Sequence, residues 1–219
     1  RMMPARETFG YEYPAGNDAR DEKMSVYYRK APYHYGWDWG MRLVQMGIWR
    51  PVHLTLYNHA RIDDLFVKQE TVSKEVAKVT NFIEIQSVDN NPTPAKLVIS
   101  YALPGEERKT EERTITLTKG VNKIAVPLEI HNPQLWMPNG WGEPHLYDFT
   151  AQLLINDDVV AEKSHQIGLR NIRVVAEDDE HGRSFYFEVK GKPMFAKGDN
   201  YIPGEIMNTL KDDEYYERE

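Results

Sequence analysis

The sequence predicts a mostly β protein. An immunoglobulin-like sandwich occupies its middle, part of an earlier β domain precedes it, and the start of an α/β region follows. Three observations carry this. Apolar and polar residues alternate with a period of two through the middle of the 219-residue chain. Turn residues punctuate those runs about every 8–12 positions. A short hairpin, a polar loop and the first turn of a helix close the sequence, the order in which an α/β region begins.

The elements follow in chain order. The first ~25 residues are polar, hold Pro4, Pro14 and Gly16, and show no periodicity, so they predict an irregular segment. Segment 20–60 is rich in aromatics and ends in a predicted strand in which Val52, Leu54 and Leu56 alternate with His53, Thr55 and Tyr57. Val79, Asn81, Ile83 and Ile85 then share one face of a strand, with Phe82, Glu84 and Gln86 on the other. Further strands are predicted around Leu97–Tyr101, Thr114–Thr118, Val121–Leu128, Tyr147–Ile155, Val159–His165 and Ile172–Val174. Asp89-Asn90-Asn91-Pro92, Pro104-Gly105, Lys119-Gly120, Pro138-Asn139-Gly140 and Asn156-Asp157-Asp158 supply the turns. Phe185–Val189 and Met194–Lys197 predict a hairpin around Lys190-Gly191-Lys192. The final residues predict a helix start capped by Thr209 or Asp212, with acidic residues in its first turn. A helix so short and polar is marginal alone. Both ends therefore suggest a segment of a longer protein.

Composition narrows the function. With 27 basic and 34 acidic residues and a net charge of -7, the chain lacks the basic footprint of a nucleic-acid partner or an anionic membrane. No apolar run approaches the ~18–20 residues of a membrane-spanning helix. With no cysteine, disulfides, thiolate metal sites and a cysteine nucleophile are excluded. The seven histidines show neither i,i+4 spacing nor an HExxH pattern, and nothing predicts a metal or a cofactor. Nucleotide-binding glycine loops and the GxSxG elbow are absent from the sequence.

Three clusters could carry chemistry. Tyr33-His34-Tyr35-Gly36-Trp37-Asp38-Trp39-Gly40 combines flat aromatic faces with a carboxylate between two glycines. Aromatic faces cover sugar C–H surfaces, and a carboxylate hydrogen-bonds hydroxyls. The same residues also suit a β core, with Asp38 paired to Arg42 or Arg50. The stretch Trp136–Tyr147, with Trp141 inside it, makes a structured loop that lines a site or staples the sandwich edge. Phe195–Pro203 places Gly198, Asp199 and Asn200 just past a predicted strand, as barrel enzymes do on their active face, or as any turn does.

Taken in order, these clusters resemble glycoside hydrolase family 2, and within it the β-mannosidase branch. Gly36-Trp-Asp-Trp-Gly40 resembles that branch, and Gly47-Ile-Trp-Arg-Pro-Val52 resembles the family more widely. Trp136–Tyr147 resembles the family's sandwich motif, and Lys197-Gly-Asp-Asn-Tyr-Ile-Pro203 its first barrel strand and loop. Asp199 and Tyr201 depart from the family's usual small residue and Trp.

The resemblance implies three regions. Residues 1–60 would be the C-terminal part of a jelly-roll sugar-binding-like domain, 61–172 the immunoglobulin-like sandwich, and 173–219 the truncated start of a (β/α)8 catalytic barrel. It implies an exo-acting, retaining β-mannosidase as parent, with a carbohydrate substrate. Asp38 would bind hydroxyls of the terminal mannose, Trp37 would lie beside it, and Asn200 would help to build the pocket floor. The catalytic glutamates would lie beyond Glu219, so the chain alone would be inactive. A β-galactosidase, a β-glucuronidase and a non-catalytic carbohydrate-binding module remain alternatives. Analogy, the lack of cysteine and the lack of a glycosylation sequon favour a bacterial periplasmic or extracellular protein.

Overall fold

A computed structural model describes residues 18, 25–37, 40–48, 50–202, 204–205 and 207–218. Two compact units result. Thr55–Lys197 forms one, and Arg1–Leu54 groups with Gly198–Glu219 as the other.

The larger unit contains a sandwich of seven strands in two antiparallel sheets. Strand β1 (Ala60–Val72) pairs with β2 (Val76–Ser87), which pairs with β5 (Gly120–His131). The facing sheet runs β4-β3-β6-β7, from Lys109–Leu117, Thr93–Ala102, Tyr147–Ile155 and Asp158–Ile167. Alternation decides what enters the core. Val79, Asn81, Ile83 and Ile85 are all at most 1% exposed, whereas Phe82 between them is 41% exposed. From the other sheet Leu97, Ile99, Phe149, Ala151 and Leu153 are fully buried against them. Each buried Val, Leu, Ile or Phe side chain among these contributes about 1.5–3 kcal/mol by leaving water. The predicted turn at Asn156-Asp157 forms with both residues left-handed, φ 54° and 66°, which matches the twist of the β6–β7 hairpin.

Gln69 ties the two sheets together. Its side-chain Nε2 donates to Gly168 O at 3.1 Å, and its Oε1 accepts from Arg170 N at 2.9 Å. The backbone leaving β7 is thereby paired to a side chain of β1.

Beyond the sandwich, β8 (Ile172–Val175), β11 (Tyr186–Val189) and β12 (Lys192–Met194) form a small sheet in the order β12-β11-β8. Arg173 of β8 donates to Glu188 of β11 through two bonds of 2.6 and 3.0 Å. The hairpin turn is shorter than its sequence suggests. Lys190 and Gly191 alone make it, at φ 50° and 73°, and Lys192 already pairs with Val189. Asp178–Asp179 (β9) and Gly182–Arg183 (β10) add a two-stranded ribbon.

In the smaller unit, helix α1 spans Asp213–Arg218. Asp212 caps it by accepting from Tyr215 N at 2.8 Å, as one of the two predicted caps. The predicted strand at Val52–Tyr57 does not form. Val52, Leu54 and Leu56 are 77%, 84% and 84% exposed, and no described residue pairs with this backbone. Alternation alone does not make a strand; a ladder partner and a covered face are both needed. Phe195–Ile202 likewise carries no ladder among the described residues. A parallel barrel strand takes its hydrogen bonds from neighbouring strands.

Candidate functional site

The aromatic cluster is built on two short 3-10 turns. Ser25–Tyr27 forms the first, and Pro32–Tyr35 the second, with Pro32 at its start where no backbone donor is needed. Gly36 ends it at φ 103°, a conformation that disfavours any residue with a Cβ. The chain then reverses. Trp37 N donates to Gly40 O at 3.0 Å, and Gly40 N to Trp37 O at 3.4 Å. Trp37 is 54% exposed. Asp38 and Trp39, between the two bonded residues, lie outside the described residues.

Beneath this turn sits a buried polar brace that the sequence did not announce. Asp18 is only 4% exposed. Its Oδ2 accepts from Ser25 N and its Oδ1 from Arg42 Nε, both at 3.1 Å. Arg42 in turn lies 5.6 Å from the centre of the fully buried Tyr35 ring. One carboxylate therefore fixes the chain before the turn and the chain after it. Burial pushes the Tyr35 hydroxyl above the usual phenol range, the Asp18 charge adds to this, and Arg42 opposes it. Arg42, one of the two partners considered for Asp38, is thus engaged by Asp18.

His34 is buried beside Tyr33, ring centroids 4.5 Å apart, and its Nδ1 donates to Leu43 O at 3.3 Å. Burial holds it below the ordinary imidazole value; the Leu43 bond works against this, and the charges of Lys30 and Lys211 add to it. A cavity of about 390 Å³ adjoins it, lined by Arg29, Lys30, Gln45, Met46, Ile48 and Thr209 among others. Thr209 and Lys211 thus bring the C-terminal stretch alongside the aromatic segment. Asn200 belongs to the same compact unit and is exposed, with its backbone N–H held by Asp199 Oδ1 at 2.7 Å. Trp37 and Asn200 therefore share a unit, and no direct contact between their side chains occurs among the described interactions. No group of three or more His, Asp or Glu suited to a metal occurs among the described residues.

The second cluster is structural in part. Trp136 N donates to Leu169 O at 2.9 Å, Arg170 lies 5.2 Å over its ring, and a Cβ on Gly168 would meet that ring at 2.7 Å. Tyr147 is buried and its hydroxyl accepts from Gln134 N at 2.9 Å. Trp141, by contrast, is 39% exposed.

The chain belongs to glycosyl hydrolases family 2, whose family model matches residues 60–170. A second model, the glycosyl hydrolase 2 galactose-binding domain-like family, matches residues 2–50. The chain is 36% identical over 184 residues to β-mannosidase B of Aspergillus clavatus, covering 84% of this chain and 21% of that protein. The β-mannosidase B of Aspergillus flavus is 37% identical over 187 residues, with the same coverage. The crystal structure of β-D-mannosidase from Dictyoglomus thermophilum superposes with a TM-score of 0.88 at 30% identity, over 99% of this chain and 26% of that one. Bacteroides uniformis β-glucuronidase 2 shares the fold at a TM-score of 0.61 and 20% identity, over 74% of this chain and 20% of that one. The chain spans about a fifth of the length of the curated relatives it matches.

Proposed function

We propose that this chain is part of an exo-acting, retaining β-mannosidase that hydrolyses terminal non-reducing β-D-mannose residues. The observation that supports this most is the likeness to the Dictyoglomus thermophilum β-D-mannosidase along nearly the whole chain. In this reading residues 1–60 end a jelly-roll domain, 61–172 form the sandwich, and 173–219 begin the catalytic barrel. The same reading puts the catalytic carboxylates on later barrel strands, and none is assigned to this chain. Retaining glycosidases place two such groups ~5–5.5 Å apart and work through a covalent glycosyl-enzyme intermediate.

The chain's own contribution is to recognise and orient the sugar. Trp37 offers an indole face to the C–H surface of the ring. Asp38 accepts hydrogen bonds from mannose hydroxyls, and Asn200 supplies an amide at the pocket floor. A carboxylate–hydroxyl bond in a water-poor pocket is lost at a cost of about 1.5–3 kcal/mol, so Asp38 would carry specificity.

The experiment is to express the full-length protein and assay aryl β-mannoside, β-galactoside and β-glucuronide side by side, with the 219-residue piece as control. Hydrolysis of the mannoside by the long form alone is expected. Preference for another glycoside removes the β-mannosidase reading and the role of Asp38. Activity in the short form refutes the placement of the catalytic groups.

A further inference from the structure

Three lysines surround a cavity that the proposed sugar pocket does not use. It measures about 590 Å³ and is bounded by Lys74, Met137, Trp141, Val189, Lys190 and Lys192, all in the larger unit. That volume falls within the range of small-molecule sites, about 300–1,000 Å³.

Each wall is held by its own element. Lys74 comes from the β1–β2 turn, where Ser73 Oγ accepts from Glu75 N and Val76 N at 3.2 and 3.1 Å. Lys190 opens the β11–β12 turn in a left-handed conformation, and its backbone N–H donates to Asn171 O at 3.1 Å. Lys192 follows on the paired strand. Trp141 is presented by a tight turn in which its N–H donates to Pro138 O at 3.0 Å. A Cβ at Gly142 would meet Met137 Cγ at 3.1 Å, so the glycine gives Met137 its place in the wall.

The electrostatics are unusual for this chain. Its net charge is -7, yet among the described residues none of these three ammonium groups comes within 4.0 Å of a carboxylate oxygen. Desolvation, and then the Lys74 charge, draw the Lys190 ammonium below its ordinary range, which fits convergence of the two on one space. A lysine only donates hydrogen bonds. A ligand here must therefore be rich in acceptors and anionic at one end. At the other end it meets Trp141, Met137 and Val189, an apolar wall with an exposed indole face.

We propose that this cavity binds an anionic sugar, its phosphate or carboxylate held by Lys74, Lys190 and Lys192 and its ring face on Trp141. Isothermal titration of the full-length protein tests it, with glucose 6-phosphate, glucuronate, inorganic phosphate and glucose as separate probes. The variants are Lys74→Gln, Lys190→Asn, which suits the left-handed turn, Lys192→Gln and Trp141→Leu. All four sites lie at the surface or in turns, and near-UV dichroism verifies that each variant folds.

The expected result is binding of a charged hexose about tenfold or more tighter than of glucose or inorganic phosphate. Combining Lys190→Asn with Lys192→Gln should weaken it about tenfold or more, and so should Trp141→Leu. The binding should also fall as salt screens the lysines. Glucose 6-phosphate and glucuronate distinguish the two anionic groups. Inorganic phosphate binding as tightly, with Trp141→Leu silent, overturns the sugar assignment. Absence of binding, or binding unmoved by the lysine variants, overturns the site. None of these readouts depends on which glycoside the enzyme hydrolyses.

Discussion

Replacing Asp18 with asparagine removes one charge and one acceptor at a buried position. Among the described residues the carboxylate accepts from two donors at once, Ser25 N and Arg42 Nε, each at 3.1 Å. Asparagine has a single acceptor oxygen. In either amide orientation an NH2 faces one of the two donors, and Arg42 loses its counter-charge. A hydrogen bond to a charged group is worth about 1.5–3 kcal/mol. The Arg42 side chain is 21% exposed, so water restores part of its loss. The net local cost is therefore about 2 kcal/mol, which corresponds to roughly a thirtyfold rise in the open population of the aromatic turn. Hydrogen exchange read by mass spectrometry in the full-length protein is the assay. Peptides covering 25–42 should exchange about thirtyfold faster, while β2 peptides stay unchanged. Arg42→Met on top of Asp18→Asn should cost less than the sum of the two single changes, because the second change removes the stranded charge. Unaltered exchange in 25–42, or strict additivity, would refute the idea that this pair braces the turn.

Three other outcomes are expected. Asp38→Ala in the full-length protein should lower kcat/KM for aryl β-mannosides by roughly 10–100-fold or more, and unchanged kinetics remove its role. Gly168→Ala should destabilise the sandwich by about 1–3 kcal/mol in urea unfolding, because the new methyl collides with Trp136, whose ring Arg170 covers and whose N–H is held by Leu169. His34 has a folded-state pKa below its unfolded value, so the unfolded chain takes up the proton first. Stability should thus be full above about pH 6.5 and fall as pH drops through that value towards the folded pKa. His34→Gln should flatten this fall, and a pH profile identical to the parent's contradicts the assignment.

What the sequence made legible was local. Val79–Ile85 and the left-handed turns at Asn156-Asp157 and Lys190-Gly191 each need only neighbouring residues to specify them, and all three form. Asp212 could be chosen as a cap for the same reason. What stayed hidden was long-range. Asp18 sits in a polar stretch without periodicity, and its partner Arg42 lies on the far side of the turn it stabilises. Gln69 is one polar residue among many in β1, yet it pairs with backbone at both Gly168 and Arg170. Gly168 looks like any loop glycine until Trp136 is laid against it.

The strand expected at Val52–Tyr57 teaches the converse. Its alternation is as regular as that of β2, but β2 has ladders on both sides and a facing sheet, whereas no described residue pairs with Val52–Tyr57. The two units should therefore respond differently to substitution. In the sandwich, apolar volume decides stability, and polar changes on outer faces such as that of Phe82 cost little. Among the described residues of the aromatic segment, most apolar side chains from Met41 to Leu54 are exposed, and its directional contacts are those of Asp18, Arg42, Tyr35 and the Trp37–Gly40 reversal. A few directional bonds of Asp18, Arg42 and Tyr35 hold segment 25–42, so single polar substitutions there should raise its hydrogen exchange before they unfold the sandwich.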